Sequence, residues 1–179
     1  MRPNIILVEN VPEFQTWGPL DSKGRPIKSR KGEIFQSWLQ NLRSIGYRLE
    51  YRVMKSADYG DPTTRRRLFV QAVRGRRKIV WPHATHAEDA TSDIGVFGKI
   101  QPWRTARNSV IDWTIKGEPI HERKKPLAAR TLDRIWSGFE DYGIKGALIH
   151  MEHGGRVVSL DRPLPTITCA KGGAMALVE

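Results

Sequence analysis

The chain has 179 residues, 39% of them apolar and 27% charged, which suits a soluble globular protein and excludes a disordered polymer. Lys and Arg number 30 against 19 Asp and Glu, giving a formal net charge of +11 and a pI near 10.2. That balance favours a polyanionic partner, nucleic acid first, with a merely basic surface as the alternative. No apolar run approaches the roughly 20 residues of a membrane helix, the first residues lack the basic-then-apolar pattern of a signal peptide, and no membrane partner is expected. The single cysteine, Cys169, excludes an internal disulfide framework and fits a reducing cytoplasm.

Residues 5–8, Ile-Ile-Leu-Val, are a short continuous apolar run, which predicts a strand buried on both faces. The run stops on Glu9, Asn10 and Pro12. Ligands of open α/β sheets bind beyond the carboxyl ends of the strands, so Glu9 is either an acid aimed at a ligand or a charge leaving a strand end. Residues 17–26 carry Gly, Pro, Asp and Ser at the density of a surface loop. Lys23, Arg25, Lys28, Arg30 and Lys31 in and beyond it suit contact with phosphate, or simple solvation.

Ile34, Phe35, Trp38, Leu39, Leu42 and Ile45 fall at helical spacing, which predicts a packing helix over 32–45 with Trp38 in the core and Gly46 as its C-terminal cap. Residues 47–54 alternate apolar and charged side chains as a half-exposed strand does, 56–62 read as turn chemistry, and 67–74 read as another strand. The connection between these two strands favours antiparallel pairing. The first 80 residues thus read strand, basic loop, helix, strand, loop, strand: an α/β layout with an antiparallel closing strand. Arg65, Arg66, Arg67, Arg74, Arg76, Arg77 and Lys78 form a dense basic cluster. Strand alternation puts Arg65 and Arg67 on one face and Arg66 on the other, and paired guanidiniums suit a phosphate or a base carbonyl.

Residues 82–110 show no sustained period and read as a long loop. His83 and His86, and later His150 and His153, form H-x-x-H pairs without a convincing third ligand, so no metal site is expected. Leu127, Leu132, Ile135, Trp136 and Phe139 predict a second helix over 126–143. Short strands are expected at 147–150, 156–160 and 174–179.

Three blocks, taken in order, resemble motifs of the DNA (cytosine-5)-methyltransferase family, closest to its phage and bacterial members. Glu9-Asn10-Val11 at a strand end looks like the family's ENV motif. Gly60-Asp61-Pro62-Thr63-Thr64-Arg65-Arg66-Arg67 is similar to its G-x-P-Q-x-R-x-R, with Thr63 where the family usually has Gln. Arg156 followed by Pro165-Thr166-Ile167-Thr168 resembles its late block that braces the target-recognition region. The resemblance runs over nearly the whole chain. It implies methyl transfer from S-adenosyl-L-methionine to carbon 5 of a cytosine flipped out of double-stranded DNA. By that resemblance Glu9 protonates or hydrogen-bonds ring atom N3 while a cysteine thiolate adds to carbon 6, which desolvation in a closed pocket favours. Glu9, Asn10, Arg65 and Arg67 become the catalytic candidates. Arg65, Arg66, Arg67, Arg156, Thr166 and Thr168 become the DNA contacts.

The family's nucleophile is a Cys after a Pro and its cofactor loop is F-x-G-x-G, both ahead of the ENV motif, and the chain starts only eight residues before that motif. Cys169 follows a Thr and has no pattern that makes it a substitute, and the family's final Gly-Asn motif is absent. Met1 therefore falls inside the domain, and Glu179 leaves an apolar strand unfinished. The expectation is the C-terminal part of a Rossmann-like S-adenosylmethionine-dependent methyltransferase domain over 1–81, with part of a target-recognition region over 82–179. Such a chain lacks the nucleophile and most of the cofactor site, is inactive alone, and calls for an N-terminal methyltransferase polypeptide in a bacterial or phage-infected cytoplasm. The alternative is a non-catalytic basic DNA-binding module or a decayed remnant.

Overall fold

The apolar run near the start becomes β1, Ile5–Asn10, followed by a 3-10 helix over Pro12–Thr16, then α1, Glu33–Ser44, β2, Arg48–Lys55, and β3, Arg66–Val73. The computed structural model describes residues 3–90, 94, 95, 98–117, 119, 122, 124–150, 155–167 and 175–177. Two units result, Met1–Lys55 with Arg66–His83 and Ser56–Arg65 with Ala84–Glu179.

The first unit is a three-stranded sheet in the order β1-β3-β2, with β3 antiparallel to both neighbours, so that β1 and β2 run parallel to each other. Leu68 and Val70 of β3 pack with Phe35 and Leu39 of α1, and Val8, Phe14, Trp38, Leu49 and Val53 close around them. The helix ends where the sequence predicts, with the Gly46 N–H on the Arg43 carbonyl and the Tyr47 N–H on the Leu42 carbonyl. Tyr47 is buried, and its hydroxyl donates to the Pro3 carbonyl at 2.6 Å.

β1 departs from the double burial that its apolar run predicts. It is covered on one face, not two, and only half-buried there: Ile5, Leu7 and Glu9 alternate outward, and Leu7 is 72% exposed. The physical reason is coverage. Among the described residues α1 is this unit's one α-helix, and it lies on the Val8 face. Over the other face the segment after β3 lies against β2 and β3, where Trp81 Nε1 donates to Glu50 at 2.8 Å and Gln71 Nε2 to the Val80 carbonyl at 2.8 Å. The Arg52 guanidinium stacks 5.0 Å from the Trp81 ring centroid.

The basic cluster is also divided. β3 is continuous from Arg66 to Val73. At about 3.3 Å per residue it sets Arg66 and Arg67 roughly 25 Å from Arg74 and the turn beyond it. There Arg48 Nη2 donates to the Gly75 carbonyl at 3.0 Å, and Arg74 lies 5.6 Å from the Tyr47 ring centroid.

In the second unit the stretch expected as a loop contains β4, His86–Ala87, β5, Ile94–Gly95, β6, Gly98–Lys99, β7, Gln101–Pro102, and α2, Ala106–Ser109. β4 pairs parallel with β7, and β5 antiparallel with β6. Two-residue strands carry no readable period. After them come α3, Ala129–Tyr142, β8, Ala147–His150, β9, Arg156–Ser159, and β10, Met175–Leu177, in an antiparallel sheet of order β10-β8-β9. The face α3 buries is rotated from the expected stripe: Ile135 and Gly138 are buried while Leu132 and Trp136 are exposed. Gly138 is the cause, because the helix approaches until Ala147 and Val157 would each touch an added Cβ at 3.0 Å. Ala106, Leu148, Leu160 and Leu164 form the core of this unit. Arg107 ties Asp161 at 2.6 Å and the Lys145 carbonyl at 2.9 Å across it. No helix among the described residues is long and apolar enough to cross a membrane.

Candidate functional site

Glu9 stands opposite Phe69 in the β1–β3 register, and alternation places Arg67, two residues before Phe69, on the same open face. The two side chains meet. Arg67 Nε lies 2.8 Å from Glu9 Oε1, and Arg67 Nη1 donates to the Arg66 carbonyl at 2.8 Å. Arg67 is thereby fixed and mostly covered, its side chain 21% exposed, while that of Glu9 keeps 51% of its surface open. The pair sets an acceptor beside a permanently charged donor at the carboxyl end of β1, next to an apolar strip of Ile5, Leu7 and Phe69.

Asn10 points the other way along the alternation, and its Oδ1 accepts from the Val11 N–H at 2.8 Å, shaping the exit from β1. Arg66 is exposed and stands opposite Lys55. Arg65 belongs to the second unit and precedes β3, so the alternation expected to align it with Arg67 does not reach it. Its carbonyl accepts from the Ser56 N–H at 2.9 Å and its N–H donates to Thr63 Oγ1 at 3.3 Å.

Within the second unit, residues 62–64 of the second sequence block meet Leu164 and Pro165 at the edge of the third. The Thr64 N–H donates to the Leu164 carbonyl at 2.7 Å and the Leu164 N–H to the Pro62 carbonyl at 2.8 Å, a parallel bridge. Thr63, where the family motif usually has Gln, uses its hydroxyl on the Pro165 carbonyl at 3.3 Å. Leu164 is the residue the sequence reading missed. Its signal was the flanking Pro163 and Pro165, which favour an extended residue with a backbone free to pair. Thr166 follows, half-buried, and Arg156 lies exposed at the start of β9 opposite His150. Thr168 and Cys169 lie outside the described residues.

Gly60 is required in this turn for two reasons. Its φ is +94°, and an added Cβ would stand 2.9 Å from Cε1 of His86. His86 is buried with Nδ1 2.8 Å from Thr85 Oγ1. No group of three or more metal-ligating side chains occurs among the described residues.

The end of β1 does not offer the Gly-rich turn of the family's cofactor loop. The strand runs instead into Asn10, Val11 and the Pro12–Thr16 helix. At Gly18, Gly60, Gly138, Gly146 and Gly155 the space of an added Cβ is already taken by the protein's own Arg30, His86, Ala147, Tyr142 and Arg134, so none of these five opens a cradle.

The family described as C-5 cytosine-specific DNA methylase matches residues 1–133, which include Glu9 and the Arg65–67 block. This chain belongs to that family. Among individual methylases it is similar to the type II methyltransferase M.BsuRI of Bacillus subtilis, 27% identical over 113 residues, 62% of this chain and 21% of that protein. It is similar also to the type II methylase M.HgiDII of Herpetosiphon aurantiacus, 35% identical over 86 residues, 48% of this chain and 21% of that one. The type II methyltransferase M.AquIA of a Picosynechococcus strain is 27% identical over 110 residues, 60% of this chain and 43% of that protein. Against these three methylases the matched stretch spans between 21% and 43% of the relative's length. No solved structure gives a significant match.

Proposed function

We propose that these residues supply the base-holding half of a cytosine-5 DNA methyltransferase site, acting on a cytosine flipped from double-stranded DNA in a bacterial or phage-infected cytoplasm. The observation that carries this is the Glu9–Arg67 pair on the open sheet face, within the family match. A flipped cytosine presents an amino donor, a ring nitrogen and a carbonyl along one edge. Glu9 accepts from the amino group and, once protonated, donates to N3, while Arg67 donates to the carbonyl. Protonating N3 draws electrons from carbon 6 and prepares it for a thiolate. Asn10 sets the strand exit that aims Glu9, and Arg65, Arg66, Arg156, Thr166 and Thr168 hold the DNA backbone or neighbouring bases.

The thiolate and the S-adenosyl-L-methionine site come from polypeptide outside these 179 residues, N-terminal in the family's order. Residues 1–81 are then the later half of the catalytic domain and 82–179 part of a target-recognition region. The exposed Ile5, Leu7 and Phe69 support this reading, as does β1, which among the described residues pairs only with β3. They are what a sheet shows where another layer and strand belong. The test is to supply a polypeptide carrying the family's Pro-Cys and F-x-G-x-G segments and to measure methyl incorporation into DNA. Glu9→Gln is expected to cut the rate by about 100-fold or more. An unchanged rate would point instead to a basic DNA-binding module.

A further inference from the structure

The basic loop after the Pro12–Thr16 helix is not a solvated tether. It folds around a cavity of about 720 Å³ whose lining includes Trp17, Leu20, Ile27, Ile34, Lys28 and Lys31. That is ample room for a ligand of nucleotide size. We propose that this cavity takes an unstacked nucleotide of the DNA strand, its base against Trp17 and its phosphate at Lys28 and Lys31. The inference rests on the DNA reading above.

The cavity is built, not incidental. Backbone bonds run from Ile27 N–H to the Pro19 carbonyl at 3.0 Å, from Gly32 N–H to Thr16 at 3.2 Å, and from Ile34 N–H to Trp17 at 3.1 Å. Gly18 passes so close to the Arg30 carbonyl that a Cβ would collide with it. Trp17 is held edge-on by Phe14, ring centroids 5.0 Å apart, yet stays 52% exposed. Four cations of the loop lie at or next to the cavity. Arg25 is bound to Asp21 and Arg30 to Glu33, whereas Lys28 and Lys31 have no ion pair among the described residues. No carboxylate lines the cavity. Apolar walls, an open indole and two uncommitted ammonium groups complement a flat apolar body carrying negative charge, the combination that single-strand binders use for bases and phosphates. In the chain the lining of this pocket begins at Thr16, seven residues after Glu9.

The test uses the 179-residue protein with three probes: a duplex carrying one bulged 2-aminopurine nucleotide, the same duplex fully paired, and free 2-aminopurine deoxyribonucleoside monophosphate. The bulged duplex should bind tightest and change its fluorescence on binding. Trp17→Ala should weaken it about tenfold, Trp17→Phe should keep most of the affinity, and Lys28→Ala with Lys31→Ala should lower the slope of log affinity against log salt by about two. Equal binding of bulged and paired duplexes, with both the tryptophan and the lysine variants silent, would overturn the pocket and leave the DNA reading standing. A monophosphate that binds as tightly as the bulged duplex would overturn the strand assignment. Absence of any DNA binding would sink both readings.

Discussion

Arg67 Nε reaches Glu9 Oε1 at 2.8 Å across the β1–β3 pair, from the one face of the sheet that α1 does not cover. The partners come from motifs 58 residues apart in sequence (67 minus 9), joined by the register of two antiparallel strands. Their exposure decides what the contact is for. A pair whose carboxylate side chain is half open to solvent contributes about 0–1 kcal/mol to stability. Arg67→Met should therefore shift the denaturation midpoint by less than that equivalent while lowering methyl transfer in the completed enzyme by at least about tenfold. A large loss of stability with unchanged turnover would assign the pair to the fold instead.

Leu7 gives a separable test of the open face. It is 72% exposed, so Leu7→Lys should change the stability of the 179-residue protein by no more than about 0.5 kcal/mol. The same substitution puts a charge where an apolar layer is proposed to dock, and should weaken binding of the N-terminal polypeptide by about tenfold or more, read by titration. Unimpaired binding would move the docking surface elsewhere.

Gly60→Ala should be costly in the second unit. It combines a φ of +94° with a Cβ 2.9 Å from the buried His86 ring. Strain of this kind costs about 1–3 kcal/mol before the collision is counted. Chemical denaturation should show at least that loss, and His86→Ala in the same background should recover part of it. No recovery would mean that backbone strain alone sets the cost.

Acid should weaken the fold in a defined range. Asp21, Asp112 and Asp161 are held below the ordinary aspartate value of 3.8, chiefly by the Arg25 backbone N–H, the Thr114 hydroxyl and the Arg107 guanidinium. Glu33 is held below its usual 4.5, chiefly by the Arg30 guanidinium. Folded values below unfolded ones mean that these groups stabilise above the unfolded value and cease to do so as pH falls through the folded one. All are on the surface, so each effect is small. Their share of the thermal midpoint should be constant above pH 4.5 and decline below 3.8. Replacing Asp161 with Asn should flatten part of that decline, and an unaltered acid limb would exclude the ion pair as a contributor.

The elements of the first unit were legible because each had its own period: four apolar residues for β1, a helical stripe for α1, alternation for β2. What did not show was coverage. Ile5 and Leu7 read as doubly buried because an apolar run looks the same whether or not a second layer exists. The Trp17 pocket was hidden for the opposite reason. Its apolar residues are scattered through turn-forming sequence, and only backbone bonds fixed by Gly18 and Asp21 gather them. Of the candidate site, Glu9 and Arg67 could be found as motif residues, but their contact required the strand register. The bridge from Thr64 to Leu164 is made by backbone atoms and so has almost no side-chain signature.

In the proposed function these 179 residues hold the cytosine, while the nucleophile and the methyl-donor site belong to another polypeptide. The direct measurement is transfer of labelled methyl groups from S-adenosyl-L-methionine to DNA, with the protein alone and after addition of a polypeptide bearing the Pro-Cys and F-x-G-x-G segments. No incorporation is expected from the protein alone, and incorporation is expected with the added polypeptide, lost when its cysteine is replaced by alanine. Incorporation by the 179-residue protein alone that disappears with Cys169→Ala would contradict that assignment.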